Sequence, residues 1–331
     1  MKWRSLGKQN LHVSALGLGC MGMSDMYGAT ERSESSATIL AALDVGISLL
    51  DTGDFYGMGH NEMLLGEALA DRPRDGYLLS VKFGAQRGPG GEWLGYDARP
   101  SAVKTALAYS LRRLRTDYVD IYRPARLDPN VPIEDTVGAI ADLVKDGYVR
   151  HLGLSEMGVD TIRRASSVLP VVDLQIEYSL ISRGVEQAIL PACRELGTGI
   201  TAYGVLSRGL ISGHWSKERS TDARDFRTHS PRFQGDNLNH NLALVDLLRE
   251  LAQARGVSVA QLAIAWVLAR GEDVVPLIGA RTRSRLTEAL GALDVILSAD
   301  DLAAIGRAVP AGAAAGDRYS TQGMASLDSE R

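Results

Sequence analysis

Three residues of complementary chemistry fall near the N-terminal end of this chain: Asp51, Tyr56 and Lys82. Asp51 closes the apolar run Leu49-Leu50-Asp51, Tyr56 lies five residues on between Gly53 and Gly57, and Lys82 closes the next apolar run, Ser80-Val81-Lys82. Together they are the parts of one proton donor. A phenol with a pKa of about 10 is a poor acid at neutral pH, but a neighbouring ammonium stabilises the phenolate and lowers that value. The carboxylate then holds the ammonium charged and in place. Taken singly, each has an ordinary structural explanation as a turn cap, an interface ring or a solvated lysine. Their place on the ends of consecutive strands sets them apart.

The elements that must position these residues follow from periodicity. Short apolar runs at residues 15–18, 48–50, 77–81, 118–122, 149–154, 171–176, 199–203 and 274–278 alternate with helical patterns at 33–45, 61–70, 99–113, 133–144, 160–168, 186–196 and 243–255. Gly46, Gly147 and Gly197 stand where a helix needs a residue of positive φ to stop. Parallel strands need crossover helices and closure removes sheet edges, so eight such units predict a closed (β/α)8 barrel, with an open doubly wound sheet as competitor. In that barrel the site lies at the C-terminal strand ends, where Asp51, Tyr56 and Lys82 fall.

Other segments lie outside the repeat. Residues 1–13 read as a hairpin, turning at Gly7-Lys8-Gln9-Asn10, that covers the barrel bottom. Residues 206–239 form a long aperiodic loop, which in a compact domain is usually functional. Residues 257–268 and 298–307 read as two extra helices, the second capped by Ser298. The tail, 310–331, either frays or folds over a site. No linker divides the chain, so residues 1–331 read as one domain.

Composition narrows the function classes. The chain has 331 residues, 45% hydrophobic and 23% charged, with a formal charge of -4 that gives no reason to expect a nucleic-acid backbone as partner. No run approaches a membrane span and no secretory h-region opens the chain, so the expectation is a soluble, cytoplasmic protein. Cys20 and Cys193 are too few for a disulfide framework. The six histidines and two cysteines show no metal-ligand spacing, and no Gly-x-Ser-x-Gly elbow supports a hydrolase.

Gly17-Leu18-Gly19-Cys20-Met21-Gly22 matches half of a dinucleotide fingerprint. In the Rossmann turn the last glycine opens a helix, whereas here Met23-Ser24-Asp25-Met26-Tyr27-Gly28 continues as loop. Gly19, Cys20 and Met21 are instead read as backbone that lets a ligand approach the barrel mouth.

The chain resembles the aldo-keto reductases over nearly its whole length. The resemblance rests on Asp51-Thr52-Gly53-Asp54-Phe55-Tyr56-Gly57, on Lys82, on Gly153-Leu154-Ser155-Glu156, on Gln175-Ile176-Glu177-Tyr178, and on Ala202-Tyr203 through Arg208-Gly209-Leu210. The Gly-Leu-Ser-Glu wording looks most like the microbial and plant branch that includes perakine reductase. The resemblance implies a (β/α)8 barrel that binds NADP(H) and transfers hydride to an aldehyde or ketone. It also implies roles: Tyr56 as general acid, Lys82 to lower its pKa, Asp51 to pair with Lys82, Ser155 and Gln175 for the nicotinamide carboxamide, and Tyr203 stacked on the ring. Gly204, Val205, Leu206, Arg208 and Gly209 would lie against the pyrophosphate. Gly279, Arg281, Arg285 and Glu288 match the adenosine end, the arginines suited to a 2′-phosphate and the glutamate to the adenine amine. Ala289 replaces the usual asparagine after that glutamate.

One departure bears on catalysis. In Asp120-Ile121-Tyr122-Arg123-Pro124-Ala125-Arg126-Leu127-Asp128, the position of the family's catalytic histidine is Ala125, which cannot donate a hydrogen bond. Ala125 and Arg126 would then border the substrate pocket beside Tyr56. Three readings compete: a substrate hydroxyl or water fills the space; Arg126, Arg123 or Tyr122 supplies the donor; or the protein binds NADPH and turns over little, as an interaction subunit. His60 and His151 are weaker candidates, and Phe55, Trp93, Tyr96, Trp215 and Phe226 are aromatic residues available for a pocket. The substrate, the direction of reaction and the oligomeric state are not legible.

Overall fold

The chain closes eight parallel strands into a barrel in sequential order, as the alternation predicts. The computed structural model describes residues 1–24, 27–217 and 225–331. The strands are β1 (Gly17–Gly19), β2 (Leu49–Gly53), β3 (Leu78–Phe83), β4 (Val119–Pro124), β5 (Val149–Ser155), β6 (Val171–Glu177), β7 (Gly199–Tyr203) and β8 (Val274–Ile278). Each is buried along most of its length because helices cover the outside while side chains fill the inside. Arg32–Asp44, His60–Ala68, Pro100–Leu114, Ile133–Lys145, Val159–Val168 and Ile189–Leu196 follow the first six strands as the crossover helices. Gly197 ends the last of these at φ 70°, a left-handed position that costs glycine nothing.

The glycine-rich stretch after residue 16 is not a Rossmann turn. Gly17–Gly19 is the first barrel strand and runs into a single 3-10 turn at Met21–Met23. A Cβ on Gly17 would come within 2.6 Å of the Leu277 side chain, so that glycine serves strand packing.

The antiparallel pair Trp3–Leu6 and Leu11–Ser14 closes the barrel bottom, where Leu6 and Val13 join Leu49, Ile121, Val172, Val275 and Leu277 in a separate apolar plug. Gln9 in its turn bonds His151 at 2.5 Å, which removes that histidine from the mouth. A second hairpin, Ala85–Arg87 with Trp93–Tyr96, rises from the end of β3.

Two expectations need correction. The helix read at 243–255 begins at Gly235 and runs to Ala254, so the loop read as 206–239 ends earlier. That loop is also less irregular than expected, with 3-10 turns at Ser207–Ser212, Phe226–His229 and Pro231–Phe233. Its residues 218–224, like Asp25 and Met26, lie outside the described residues. A helix at Arg283–Leu290 lies outside the helical patterns counted from the periodicity. Ser298 caps Ala299–Ala308 in a capping box with Asp301, as its type suggests. The tail folds over the mouth of the barrel, forms a short helix at Thr321–Ala325, and buries Leu327.

Candidate active site

At the C-terminal ends of β2, β3 and β6, Asp51, Lys82 and Gln175 meet in a closed triangle. Lys82 Nζ donates to Asp51 Oδ1 at 2.5 Å and to Gln175 Oε1 at 2.9 Å, and Gln175 Nε2 donates to Asp51 Oδ2 at 2.7 Å. All three are buried. Burial lowers the Lys82 pKa and the Asp51 carboxylate opposes that shift. In low dielectric such a pair holds only when the remaining lone pairs and protons are also satisfied. Here Ser80 Oγ completes Asp51 with a 2.8 Å bond.

Tyr56 begins the 3-10 turn Tyr56–Gly59 just past β2. Its ring lies edge-on to Phe55 at 4.7 Å, and Lys82 Nζ stands 5.1 Å from the ring centroid. Burial, with Asp51 adding to it, pushes the phenol well above its ordinary pKa, while Arg126 pulls the other way. Lys82 was expected to lower that pKa. In this arrangement its ammonium is turned to Asp51 and Gln175, and desolvation dominates. The phenol is therefore held protonated at neutral pH.

Below the triangle the barrel interior carries a polar chain that sequence reasoning missed. Arg123 donates to Ser80 Oγ at 2.8 Å, to Asp173 Oδ2 at 3.0 Å and to Thr201 Oγ1 at 3.3 Å, and Thr201 in turn donates to Asp173. Arg123 and Asp173 are both fully buried. The pair lies so close to the backbone of β5 that a Cβ on Gly153 would meet Asp173 Oδ1 at 2.8 Å. Asp173, Gln175 and Glu177 alternate along β6, and this period-two row of polar residues in a buried strand was the signal available.

The three donors considered beside Ala125 separate clearly. Tyr122 points into the helical layer, stacked on Phe83 at 4.3 Å and bonded to Val103 O. Arg123 belongs to the interior pair. Only Arg126 reaches the mouth, where Nη1 bonds Ala125 O at 2.6 Å and approaches Ser155 Oγ at 3.5 Å, and Nη2 lies 3.3 Å from the Tyr319 hydroxyl. His60 is engaged by Ser24 and Arg32. Of the aromatic residues, Phe55, Trp93 and Tyr96 form a connected wall leading away from Tyr56. Trp215 packs on Phe233 instead, and Phe226 stands 6.2 Å from Tyr319.

The tail supplies residues that no local pattern announced. The Tyr319 hydroxyl lies 2.8 Å from that of Tyr203, which also donates to Glu156 at 2.7 Å. Arg318 forks onto Glu156 at 3.0 and 2.9 Å, and Ser329 bonds the same carboxylate. Burial alone would raise the Glu156 pKa, but Arg318, with Arg126 and Ser329, brings it down to about 2. Glu177 receives Ser182, Arg208, Arg232 and Arg318 around one carboxylate.

The residues expected at a cofactor line the side of the mouth formed by β7, β8 and β1. Gly204 turns the chain out of β7 at φ 63°, Val205 is buried, and Leu206 O accepts Gly209 N at 2.9 Å. Arg208 bonds Glu177 at 3.4 Å and the carbonyl of Arg318, and lies over Tyr319. Arg227, not anticipated, links the carbonyls of Arg208 and Tyr27, and Arg281 bonds the same Tyr27 carbonyl at 3.0 Å. Gly19 and Cys20 sit against Asp51, Cys20 fully buried, and Met21 opens the turn beside them. Gly279 follows β8, and Arg285 bonds Glu288 at 2.9 Å, which His214 also contacts. Arg227 is itself paired with Asp225 through Nε and Nη2, so Arg208 and Arg281 are the cationic groups that it separates.

The sequence profile of the Aldo/keto reductase family matches residues 15–309. The chain belongs to this family. It is 42% identical over 317 residues to probable aldo-keto reductase 1 of Glycine max, covering 95% of this chain and 90% of that one. Among solved structures it is similar to a glycerol dehydrogenase from Gluconobacter oxydans, with a TM-score of 0.84, 30% identity, and coverage of 93% and 96% of the two chains. An aldo-keto reductase from Bacillus halodurans, in its holo form, gives 0.76 at 29% identity over 94% and 97%. As a member of the family, the protein is an oxidoreductase acting on carbonyl groups, and the family's chemistry uses NAD(P)H. The Arg208 and Arg281 guanidinium groups and the Ser155, Gln175 and Tyr203 strand ends are groups of the kind that dinucleotide needs.

One titration near this site has an expected consequence for stability. Burial, reinforced by Glu62, pushes Asp54 up to about 7 against the opposing backbone N–H groups of Gly84, at 3.4 Å from Oδ2, and Phe55. A carboxyl whose folded pKa is raised stabilises the fold at low pH, and that contribution is lost as pH rises through the folded value. Asp54→Asn is therefore expected to raise the melting temperature at pH 8, by an amount corresponding to roughly 4 kcal/mol, and to have little effect near pH 4. Melting curves at both values check the sign.

Proposed function

We propose that the protein is an NADPH-dependent carbonyl reductase in which Tyr56 is the general acid. The observation that carries this reading is Tyr56 at the barrel mouth, over the buried triangle of Asp51, Lys82 and Gln175. The nicotinamide, when bound, supplies the hydride. Tyr56 gives its proton to the carbonyl oxygen, and the phenolate left behind lies in the field of the Lys82 ammonium, 5.1 Å from the ring centroid and kept charged by Asp51, a field that burial outweighs before the proton leaves. Ser155 and Gln175 would hold the carboxamide of the bound cofactor, and Tyr203 would lie against its ring. The partner is a small carbonyl compound, not a nucleic acid or a membrane, and the site of action is the cytoplasm. Among the described residues no single helix is long and apolar enough to cross a membrane.

Arg281 and Arg285 support the phosphorylated cofactor, since guanidinium forks hold a phosphate monoester. Arg281→Ala is expected to weaken NADPH binding about 10- to 100-fold while changing NADH affinity less than about threefold. Fluorescence titration with both cofactors checks this, and an equal loss for both would remove the 2′-phosphate assignment.

Ala125 favours a second reading, a cofactor-binding interaction subunit with little turnover. NADPH oxidation followed by absorbance against aldehydes, ketones, diketones and keto-sugars separates the two, with Ala125→His alongside. Turnover by the native chain supports the reductase. Tight NADPH binding without turnover on any carbonyl, rescued by Ala125→His, supports the subunit.

A further inference from the structure

The charge on Arg126 is incompletely engaged. Its Nη1 bonds the carbonyl of Ala125 and reaches Ser155 only at 3.5 Å, while Nη2 has the Tyr319 hydroxyl at 3.3 Å. Its Nε is shielded from water and meets no acceptor among the described residues. A buried donor without a partner is costly, and more so on a charged group. Nε–H and the outer Nη2–H lie on one side edge of the planar guanidinium, the edge that takes two oxygens side by side. Two contacts put this guanidinium at the barrel mouth, near Tyr56. Its Nη1 approaches Ser155 Oγ at 3.5 Å and its Cζ lies 5.8 Å from the Tyr319 ring centroid, and its charge acts on the Tyr56 phenol. Tyr319 itself touches Tyr203, so the guanidinium stands between the strand ends of β4, β5 and β7.

We propose that the side edge of Arg126 is a substrate-binding group that donates to two oxygens on adjacent carbons: the carbonyl oxygen protonated by Tyr56 and a second acceptor beside it. The inference rests on the carbonyl-reductase reading above and names its substrate class as 2-oxo acids and 1,2-dicarbonyl compounds. Negative charge grows on the carbonyl oxygen as hydride reaches the carbon, and a fixed guanidinium stabilises it without giving up a proton. The proton still comes from Tyr56, and the product is a 2-hydroxy acid or a hydroxyketone. Tyr319 holds the Nη2 donor until the substrate replaces it. Lysine cannot imitate the edge, because its ammonium is a point charge without the planar fork.

The test compares kcat/KM for 1-phenyl-1,2-propanedione and benzoylformate with that for propiophenone, in the native protein, Arg126→Lys and Arg126→Met. The native protein is expected to prefer the two-oxygen substrates by at least about 100-fold. Arg126→Met should lose most of that preference, roughly 10- to 100-fold, and Arg126→Lys should fall between. NADPH affinity, read by fluorescence, reports whether each variant is folded. If Arg126→Met does not fold, the comparison of Arg126→Lys with the native protein carries the test. A native enzyme that reduces propiophenone as well as the dione, with the preference unmoved in the folded variants, overturns the role of Arg126 and leaves the reductase standing. A native protein that turns over none of the carbonyls overturns the reductase reading, and this inference with it.

Discussion

Tyr56→Phe is expected to lower kcat for carbonyl reduction by about two to four orders of magnitude while leaving NADPH affinity within about twofold. The substitution deletes one oxygen and keeps the ring that packs edge-on to Phe55. The triangle of Asp51, Lys82 and Gln175 is built from side chains other than the tyrosine, so it survives the change. Only the proton is lost. Because burial holds the native phenol above its ordinary pKa of 10.0, reduction should keep its acid through neutral pH and lose it only in the strongly alkaline range. Stopped-flow measurement of the first turnover separates this from slow product release. Normal turnover by Tyr56→Phe would move the proton donor elsewhere.

Arg123→Met is expected to destabilise the fold by about 3–5 kcal/mol. The effect should appear as a fall in melting temperature of roughly 10 °C. Arg123 and Asp173 are both without solvent exposure, so removing the cation leaves a carboxylate inside the barrel with Thr201 as its remaining partner. Burial already raises the Asp173 pKa against the pull of Arg123. Without the arginine that pKa rises further, and the penalty grows as pH climbs through it, so the variant should lose more stability at pH 8 than at pH 5. Replacing both partners, as in Arg123→Met with Asp173→Leu, should recover much of the loss, because apolar groups of similar volume can take the place of a buried ion pair. Thermal melts of the single and double variants decide it. A single variant as stable as the native protein would mean that water reaches Asp173.

The barrel was legible because its cause is local. Buried parallel strands read as short apolar runs, and Asp51 and Lys82 interrupt such runs at their ends, where the architecture places chemistry. The helix Arg283–Leu290 was hidden because its exposed face is charged and only Leu286 and Ala289 are buried. The first turns of Gly235–Ala254 were hidden for a similar reason, since Asn237, Asn239, His240 and Asn241 mask the periodicity, and Asn241 is spent on holding Arg232 O and Ala315. The contacts of Arg318 and Tyr319 join residues more than a hundred positions apart, and no repeat or cap in the tail announces a destination on Glu156 and Tyr203. Asp173 carried a signal that passed unread: a carboxylate in the middle of an apolar run needs a buried cation, and Arg123 stood in another such run.

The chain has two cysteines, and both are closed off inside the protein. Cys20 is fully buried beneath Asp51, and burial pushes its thiol well up. Cys193 is equally inaccessible, its thiol pushed up to about 12. A maleimide acts on exposed thiolate, so the native protein should be silent to it. A cysteine introduced at exposed Gln322, in the short tail helix next to Tyr319, would then carry a dye at a single site without any other change. Fluorescence from that one position would report directly whether the strap over the mouth stays down while cofactor and substrate come and go.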